Sequence, residues 1–432
     1  MPETSPTALQ KLEINLKLEI KIDQLMAELA ALARISEAEP PVVTRIVFSE
    51  ADRRARTYVK DLARAAGLTV HEDAVGNTFL RWIGSEPELA PVATGSHIDA
   101  IPNAGAYDGV VGVLGGLEAI RVLQSGGYRP RRSIELVVFT SEEPTRFGIG
   151  CLGSRLMGGV LTPEQALALR DDEGPGAEAR SLEELRAAAG FSGNLASVQL
   201  PAGHYHAFVE LHIEQGPLLE RDKIDLGLVT HIAAPAALRV TIEGEGGHAG
   251  ALLMPDRHDA LCAASELILA IESAAKSTGA IDTVATVGLC EVFPGAVNSV
   301  PSRVRFSIDL RDTDAARRDT VLDSVKLTAA ELSARRGVRI HFETINADPP
   351  AACDPQILET IEKAASAAGL TIRRMVSRAY HDSLFVARFA PVAMIFTPCR
   401  GGVSHRPDEY ASPEWIAAGV EVLARSLAEL SN

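Results

Sequence analysis

One glycine-rich polar run between two apolar segments constrains the fold of this chain more than any other feature. The run extends from Thr94 to Gly109 and reads Thr-Gly-Ser-His-Ile-Asp-Ala-Ile-Pro-Asn-Ala-Gly-Ala-Tyr-Asp-Gly. Residues 90–94 before it are typical of the end of a buried strand, and residues 110–120 after it are typical of a packed helix. A strand, a loop and a helix in this order predict an open α/β sheet, which presents its chemistry at the carboxyl ends of its strands.

The loop carries three side chains that suit metal chemistry, His97, Asp99 and Asp108. In a His-x-Asp pair the imidazole binds the ion, while the carboxylate holds the other ring nitrogen and fixes the tautomer. A second carboxylate a short loop later is able to bridge two ions. Taken alone, His97 and Asp99 fit a surface histidine beside a solvated aspartate better than a metal site, so the rest of the chain decides between the two.

Composition and charge exclude several classes of protein. The 432 residues allow two or three domains, and 46% hydrophobic with 23% charged residues is ordinary for a globular enzyme. A formal net charge of −15 argues against nucleic acid and anionic membranes as partners. The five cysteines are scattered without a CxxC pair, and neither a signal peptide nor an apolar run of about 18 residues is visible. These features predict a cytoplasmic protein without a membrane span.

Apolar periodicity predicts strands and helices towards both ends of the chain. The first helix is expected over residues 8–35, and the second over about 50–66 with Arg53, Arg54 and Arg56 on its outer face. Further elements are expected at 68–73, 77–83, 110–125, 133–140, 182–189, 207–214, 355–368, 391–398 and 413–430.

The pattern changes near residue 230. Alternating strands and two helices follow, at 237–243, 256–276, 283–291, 303–310 and 314–336. Two helices against one antiparallel sheet indicate an inserted α+β layer. The predicted fold is an α/β domain with a mixed sheet, formed by residues 1–230 and 346–432, and an inserted α+β domain formed by residues 231–345.

Five candidate metal ligands follow predicted strands of the α/β domain: His97, Asp108, Glu143, His212 and His405. Two imidazoles and a bridging carboxylate are able to hold one ion, and the same carboxylate, a glutamate and the third imidazole hold another. Ligation by imidazole and carboxylate without thiolate suits Zn, Mn, Ni or Co better than a closed structural zinc site. Glu142 is free to take a proton while its neighbour binds metal. Singly, His212 also fits a core histidine, and the two glutamates also fit a solvated pair.

An ordered set of short motifs resembles one enzyme family. The motifs are Gly95-Ser-His-Ile-Asp, Tyr107-Asp-Gly, Ser141-Glu-Glu, Arg146-Phe-Gly, Gly153-Ser-Arg, Glu210-Leu-His-Ile-Glu-Gln-Gly, Gly246-Gly-His-Ala-Gly and Ser404-His-Arg-Pro-Asp-Glu-Tyr. With them the chain resembles the dinuclear metal amidohydrolases of the aminoacylase and carboxypeptidase superfamily. Within it, the resemblance is to the branch of L-carbamoylases, β-ureidopropionases, allantoate amidohydrolases and ureidoglycolate amidohydrolases.

The resemblance implies a role for each candidate. One ion would be held by His97, Asp108 and His212, and the other by Asp108, Glu143 and His405. Glu142 would be the general base and later the proton donor, with Asp99 orienting His97. The family resemblance favours two Mn ions per subunit, with Zn, Ni and Co left open.

The inserted domain resembles the lid and dimerisation domain of this family, which implies a homodimer. In that resemblance His248 would stabilise the transition-state oxyanion, and Asn298 and Arg311 would hold the substrate carboxylate. Arg311 also fits a charged residue that ends an edge strand. For Gln215, a helper role and a structural role are equally compatible with the sequence.

Two runs are most similar to ureidoglycolate amidohydrolases: Ser141 to Arg155, and Ser377 to Phe385. The resemblance implies that Tyr380 and His381 bind the substrate. Tyr380 lies where carbamoylases usually have glycine, which implies a smaller substrate-binding site. The implied reaction is hydrolysis of (S)-ureidoglycolate at its ureido C–N bond to glyoxylate, ammonia and carbon dioxide. An N-carbamoyl-L-amino-acid hydrolase or allantoate amidohydrolase is the alternative enzyme, followed by a deaminase or peptidase on the same scaffold. A metal-free binding or scaffold protein is the alternative from another class.

Overall fold

The computed structural model describes residues 18–171 and 179–432. Within these residues, a nine-stranded mixed sheet and a five-stranded antiparallel sheet organise the chain. From edge to edge, the strand path of the larger sheet is Ala351–Ala352, Leu226–Ile232, Val392–Thr397, Ala207–Ile213, Val92–His97, Ile134–Phe139, Thr78–Trp82 and Thr69–Glu72. Its ninth strand, Ile372–Ser377, also pairs with Leu226–Ile232.

The four central strands of the larger sheet are parallel and buried throughout: Val392–Thr397, Ala207–Ile213, Val92–His97 and Ile134–Phe139. Strands that are covered on both faces need nearly continuous apolar runs. Leu136 and Val138 enter one hydrophobic cluster, whereas Val137 and Phe139 enter another. Because successive side chains of a strand point to opposite faces, the sheet has a hydrophobic core on each side.

Helices cover this sheet, and Val110–Ser125 and Pro413–Leu430 pack on each other and on the central strands. The other α-helices of this part are Ile22–Ala33, Glu50–Ala65, Leu152–Met157, Pro163–Ala168, Leu182–Ala188, Leu218–Asp222, Pro355–Ala367 and Asp382–Val386. Two short strand pairs also occur, Val43–Arg45 with Ala100–Ala104 and Gly247–His248 with Ser299–Val300. Across the described ranges, every helix is too short or too polar to cross a membrane.

The five-stranded sheet is formed within residues 234–347. Its strands are Val284–Thr286, Cys290–Phe293, Arg303–Asp312, Ala234–Glu243 and Arg339–Ala347. Two helices, Ala260–Ser277 and Ala315–Arg336, contribute to one hydrophobic cluster with the sheet. Side chains of Arg303–Asp312 alternate between buried and partly exposed positions, because only one face of this sheet meets the helices.

The structure corrects three expectations from the sequence. The first helix is Ile22–Ala33 rather than 8–35, and the part of that expectation at 8–17 lies outside the described residues. The expected strand 283–291 is two strands, because residues 287–289 oppose only 307–308 and form a bulge. Arg56 is buried rather than on the outer face, since it pairs with Asp52 at 3.0 Å.

Candidate metal centre

The end of strand Val92–His97 delivers the first two candidate ligands. His97 is the last residue of the strand, and Asp108 lies just before the next helix. Between Asp108 and that helix, Gly109 has a φ of +66°, and a Cβ at this position would lie 2.4 Å from His97 Nε2. Glycine is therefore required here by the left-handed backbone and by the close approach of the imidazole.

Asp99 connects this strand end to the turn that carries the two glutamates. Its backbone carbonyl accepts a hydrogen bond from His97 Nδ1 at 3.0 Å, while its carboxylate lies 3.6 Å from that nitrogen. The carboxylate oxygens accept the backbone N–H groups of Glu142 and Glu143 at 3.2 and 3.1 Å. Asp99 thus contacts His97 most closely through its backbone, and its side chain holds the glutamate turn.

His212 approaches Asp108 from strand Ala207–Ile213, and His405 approaches it from the loop that follows strand Val392–Thr397. His212 Nε2 lies 3.1 Å from Asp108 Oδ1. His405 Nε2 lies 3.0 Å from Asp108 Oδ2 and 3.2 Å from Glu143 Oε1. His97 Nε2 is 3.9 Å from Asp108 Oδ1. Each oxygen of Asp108 therefore faces a different group of side chains.

Of three groups of possible ligands among the described residues, two share Asp108, and within each group the donor atoms lie within 4.8 Å of one another. One is His97, Asp108 and His212, and the other is Asp108, Glu143 and His405. These are the two sets expected from the sequence, brought together around one shared aspartate. Their imidazole nitrogens and carboxylate oxygens are donors that suit Zn, Mn, Ni and Co.

The buried carboxylates make this cluster a favourable place for a positive charge. Burial alone would raise the pKa of Asp108, but hydrogen bonds from His212 and His405 outweigh it and hold that pKa well below its usual value. The same contact with Asp108, together with Glu143, raises the pKa of His405 to about 11. Burial and the neighbouring charge of Glu143 raise the pKa of Glu142 well above its usual value. A divalent cation supplies the charge that these carboxylates require, so the donor set and the electrostatics fit a metal.

Asp108 has further polar contacts beyond the histidines. Gln215 Nε2 donates to Asp108 Oδ2 at 2.7 Å, and Ser404 Oγ lies 2.8 Å from the same oxygen. Glu409 lies 2.8 Å from Ser404 Oγ and is buried. The sequence interpretation missed Glu409, although it belongs to the run Ser404-His-Arg-Pro-Asp-Glu that contains a candidate ligand.

A buried glutamate and His381 lie next to His212. Glu210 accepts hydrogen bonds from the hydroxyls of Ser96 and Ser383 at 2.9 and 2.5 Å, so its carboxylate has partners within the protein. Its spacing of two residues from His212 on one strand was the signal that could have found it. The His381 ring centre is 4.5 Å from that of His212, and Glu210, His212 and His381 form the third group of possible ligands.

Arg311 and Tyr380 bring the smaller sheet to the edge of the centre. The guanidinium carbon of Arg311 lies 5.2 Å from the centre of the Tyr380 ring. Gly150 gives this ring room, because a Cβ at Gly150 would lie 2.5 Å from the Tyr380 hydroxyl and 2.6 Å from the carbonyl oxygen of Glu142. The tyrosine expected to narrow the site therefore lies beside the glutamate turn.

The structure does not bring His248 and Asn298 to the centre. Both are exposed and lie at the short strand pair, where Ala249 donates its N–H to the Asn298 carbonyl at 2.9 Å. The His248 ring accepts the N–H of Gly250 at 3.1 Å. Among the described residues, neither side chain has a hydrogen bond or ion pair with the five candidate ligands.

A mixed α/β sheet that gathers two histidine–carboxylate groups around one aspartate, with a further glutamate beside them, defines a metal-dependent hydrolase. A family model described as peptidase family M20/M25/M40 matches residues 93–429, and the chain belongs to this family.

Individual relatives agree with this assignment. The chain is 51% identical over 425 residues to a ureidoglycolate hydrolase of Arabidopsis thaliana, covering 97% of this chain and 89% of the relative. It is 38% identical over 414 residues to an N-carbamoyl-L-amino acid amidohydrolase of Geobacillus stearothermophilus, covering 96% and 99%. The crystal structure of AtUAH in complex with glyoxylate is similar with a TM-score of 0.89 at 50% identity, covering 96% of this chain and 98% of that one. These similarities confirm the resemblance, the fold class and the hydrolase activity predicted from the sequence.

Proposed function

We propose that the protein is a metal-dependent amidohydrolase that cleaves the ureido C–N bond of (S)-ureidoglycolate. The main observation is the Arg311 guanidinium over Tyr380 at the edge of the centre, in a chain 51% identical to a ureidoglycolate hydrolase. A guanidinium suits a small acidic substrate, because it binds a carboxylate through two parallel hydrogen bonds. The Tyr380 ring limits the size of the substrate, and its hydroxyl offers a polar partner.

The centre is proposed to hold two divalent ions. The ligands would be His97, Asp108 and His212 for the first ion, and Asp108, Glu143 and His405 for the second. Manganese is the metal we propose from the family resemblance, and Zn, Ni and Co also suit these donors. When bound, the ions supply Lewis-acid chemistry that polarises the scissile carbonyl and makes water more acidic.

Glu142 is the proposed proton carrier. It belongs to neither ligand group, yet its Oε2 lies 3.7 Å from His97 Nε2. Burial raises its pKa, which favours holding a proton between the attack of water and the departure of the leaving nitrogen. The Asp99 carboxylate accepts the backbone N–H of Glu142, and the Cys151 thiol contacts Glu142 Oε1 at 3.5 Å. Both contacts position the Glu142 carboxylate.

The proposed reaction accounts for each atom of the substrate. Hydrolysis between the ureido carbon and the substituted nitrogen gives carbamate, which decomposes to ammonia and carbon dioxide. The other product, hydroxyglycine, has an amine and a hydroxyl on one carbon and collapses to glyoxylate and a second ammonia. Glyoxylate is the ligand described for the similar AtUAH structure.

Residues 231–345 are proposed as a lid and dimerisation domain. Ten of the twelve exposed large hydrophobic side chains among the described residues lie within 253–345, which favours pairing with a second copy of the chain. Closure of this domain, or its contribution to the partner's site, would bring His248 to the oxyanion and Asn298 to the substrate carboxylate. Light scattering at micromolar concentration tests the dimer, and a fully active monomer would contradict it.

The second candidate is an N-carbamoyl-L-amino-acid hydrolase or allantoate amidohydrolase, favoured by the 38% identity to the Geobacillus enzyme. A turnover assay of the Mn-loaded enzyme with ureidoglycolate, allantoate and an N-carbamoyl-L-amino acid separates the candidates. We expect the highest kcat/KM with ureidoglycolate, together with release of glyoxylate. A preference for either other substrate would overturn the substrate assignment and retain the amidohydrolase.

A further inference from the structure

Glu409 joins the two loops that carry the candidate ligands Asp108 and His405. Its Oε1 accepts the backbone N–H groups of Tyr107 and Asp108 at 2.7 and 3.0 Å. Its Oε2 accepts the backbone N–H of His405 at 3.3 Å and lies 2.8 Å from Ser404 Oγ. The residue is only 5% exposed. Each oxygen of this one carboxylate therefore serves a different ligand loop.

The backbone at Gly105 packs closely against the Glu409 side chain. Gly105 lies directly against it, and a Cβ at Gly105 would lie 2.3 Å from Glu409 Cβ and 2.6 Å from its Oε1. A side-chain path runs beside the backbone contacts, since Ser404 Oγ lies 2.8 Å from both Glu409 Oε2 and Asp108 Oδ2. Backbone and side-chain contacts thus lead from Glu409 to the same two ligands.

We propose that Glu409 is a positioning residue that sets the separation of Asp108 and His405, and thereby the affinity for the second ion. The inference rests on the two-ion centre proposed above. Holding two ligand loops at the right separation before the ion arrives reduces the conformational freedom lost on binding and so increases the affinity. Residues that hold metal ligands in place typically change metal affinity by about 10–100-fold when they are replaced.

The geometry predicts different results for two substitutions. In Glu409→Gln the amide oxygen is able to accept the hydrogen bonds from the backbone N–H groups of Tyr107 and Asp108. The amide nitrogen then faces the backbone N–H of His405, so that two hydrogen-bond donors oppose each other. This variant should keep the first ion and bind the second about 10–100-fold more weakly. Glu409→Ala releases both loops, and because Asp108 is shared it should weaken both ions.

A calorimetric titration of the chelator-treated full-length protein with Mn²⁺ measures both affinities without an activity assay. Gly105→Ala keeps Glu409 and every ligand but crowds Glu409 Oε1, the oxygen that holds the Asp108 loop, so it should weaken both ions, as Glu409→Ala does. Asp73→Asn is the matched control, because Asp73 Oδ1 accepts three backbone N–H groups at 2.9–3.0 Å away from the centre. It should lower the unfolding temperature without changing either Mn²⁺ affinity.

The outcomes separate this inference from the proposed function. If the wild type binds two ions and Glu409→Gln and Gly105→Ala bind both with wild-type affinity, Glu409 has no positioning role. Equal loss of Mn²⁺ affinity in Glu409→Gln and Asp73→Asn would trace the effect to general stability and also overturn the role. A wild type that binds a single Mn²⁺ would overturn the two-ion centre and, with it, the inference.

Discussion

Asp309 holds the Arg311 guanidinium through two hydrogen bonds of 2.8 Å, one to Nε and one to Nη2. The remaining nitrogen, Nη1, has a longer contact of 3.4 Å with the carbonyl of Arg378. The cation that we propose for the substrate carboxylate is therefore held in its orientation by an ion pair and by the Tyr380 ring. A side chain that is already ordered loses less conformational freedom on binding.

Removing this cation should impair both binding and turnover. Arg311→Ala should raise KM strongly and lower kcat, because the clamp also places the ureido carbon at the centre. Loss of a charge-assisted hydrogen bond costs about 1.5–3 kcal/mol, or about one to two decades in kcat/KM. Steady-state kinetics measure both constants. The control is Arg239→Ala, since Arg239 lies on the same sheet in an exposed pair with Glu343; similar losses in both variants would argue against the clamp.

Tyr380 should control the choice of substrate. Tyr380→Gly should open the site and let allantoate or carbamoyl amino acids compete, while ureidoglycolate loses a partner for its polar groups. Tyr380→Phe keeps the ring and removes only the hydroxyl, so it should keep the substrate ranking at a lower rate. Competition assays with the three substrates give the ranking directly. An unchanged ranking in Tyr380→Gly would remove the main physical support for ureidoglycolate.

The proton carrier is tested by Glu142→Gln. Metal content should stay at the wild-type level, and kcat should fall by about 10²–10⁴-fold, because a positioned general base contributes that much. The control is Glu135→Gln, a buried glutamate at the opposite end of the same strand region, which pairs with Arg81 and Tyr205. It should leave kcat near the wild-type value. Near-normal turnover of a metal-loaded Glu142→Gln enzyme would remove Glu142 from the mechanism.

Asp108 should be needed by both ions. Chelation should abolish activity, and added Mn²⁺ should restore it in the wild type. Asp108→Ala should lose both ions, because one of its oxygens faces each ligand group. Elemental analysis of the purified variants gives the stoichiometry. One ion retained at full occupancy in Asp108→Ala would show that the aspartate does not bridge.

Folding stability should depend on a buried ion pair between Arg155 and Asp348. The two bonds between them measure 2.9 and 2.6 Å, and both side chains are buried where the chain leaves the smaller sheet. Asp348→Ala leaves the arginine buried without its charge partner and should cost about 3–5 kcal/mol in urea unfolding. Glu86→Ala, which breaks an exposed pair with Arg131, should change the free energy of unfolding far less, because water screens an exposed ion pair. Comparable losses in both variants would contradict the importance of the buried pair.

The fold and the clustering of the candidate ligands were predictable where one local pattern determines them. His97, Glu143 and His212 each lie at or soon after the end of a strand predicted from the sequence, and the carboxyl ends of parallel strands meet at one edge of a sheet. The strand Leu226–Ile232 was not predicted, because Gly227 and the polar pair Thr230 and His231 interrupt its apolar pattern.

Contacts between distant segments could not be predicted in the same way. Glu409 contacts the backbone of Asp108, which is far away in the sequence, and no local periodicity predicts such a contact. Arg56 occupies a charged position on a helix, but a buried aspartate one turn away makes its burial favourable. The roles of His248 and Asn298 were implied by the resemblance alone. Both side chains are exposed, so a role taken from a family does not give the position of the residue within one chain.

Asp99 has a practical consequence for enzyme engineering. Its carbonyl accepts the bond from His97, and its carboxylate accepts the N–H groups of Glu142 and Glu143. A single residue therefore fixes the position of the candidate ligand His97 relative to the glutamate turn. Moving the candidate site to another scaffold therefore requires both neighbouring strand ends together. A mutant library that varies residue 99 should displace His97 and the turn of Glu142 and Glu143 at the same time.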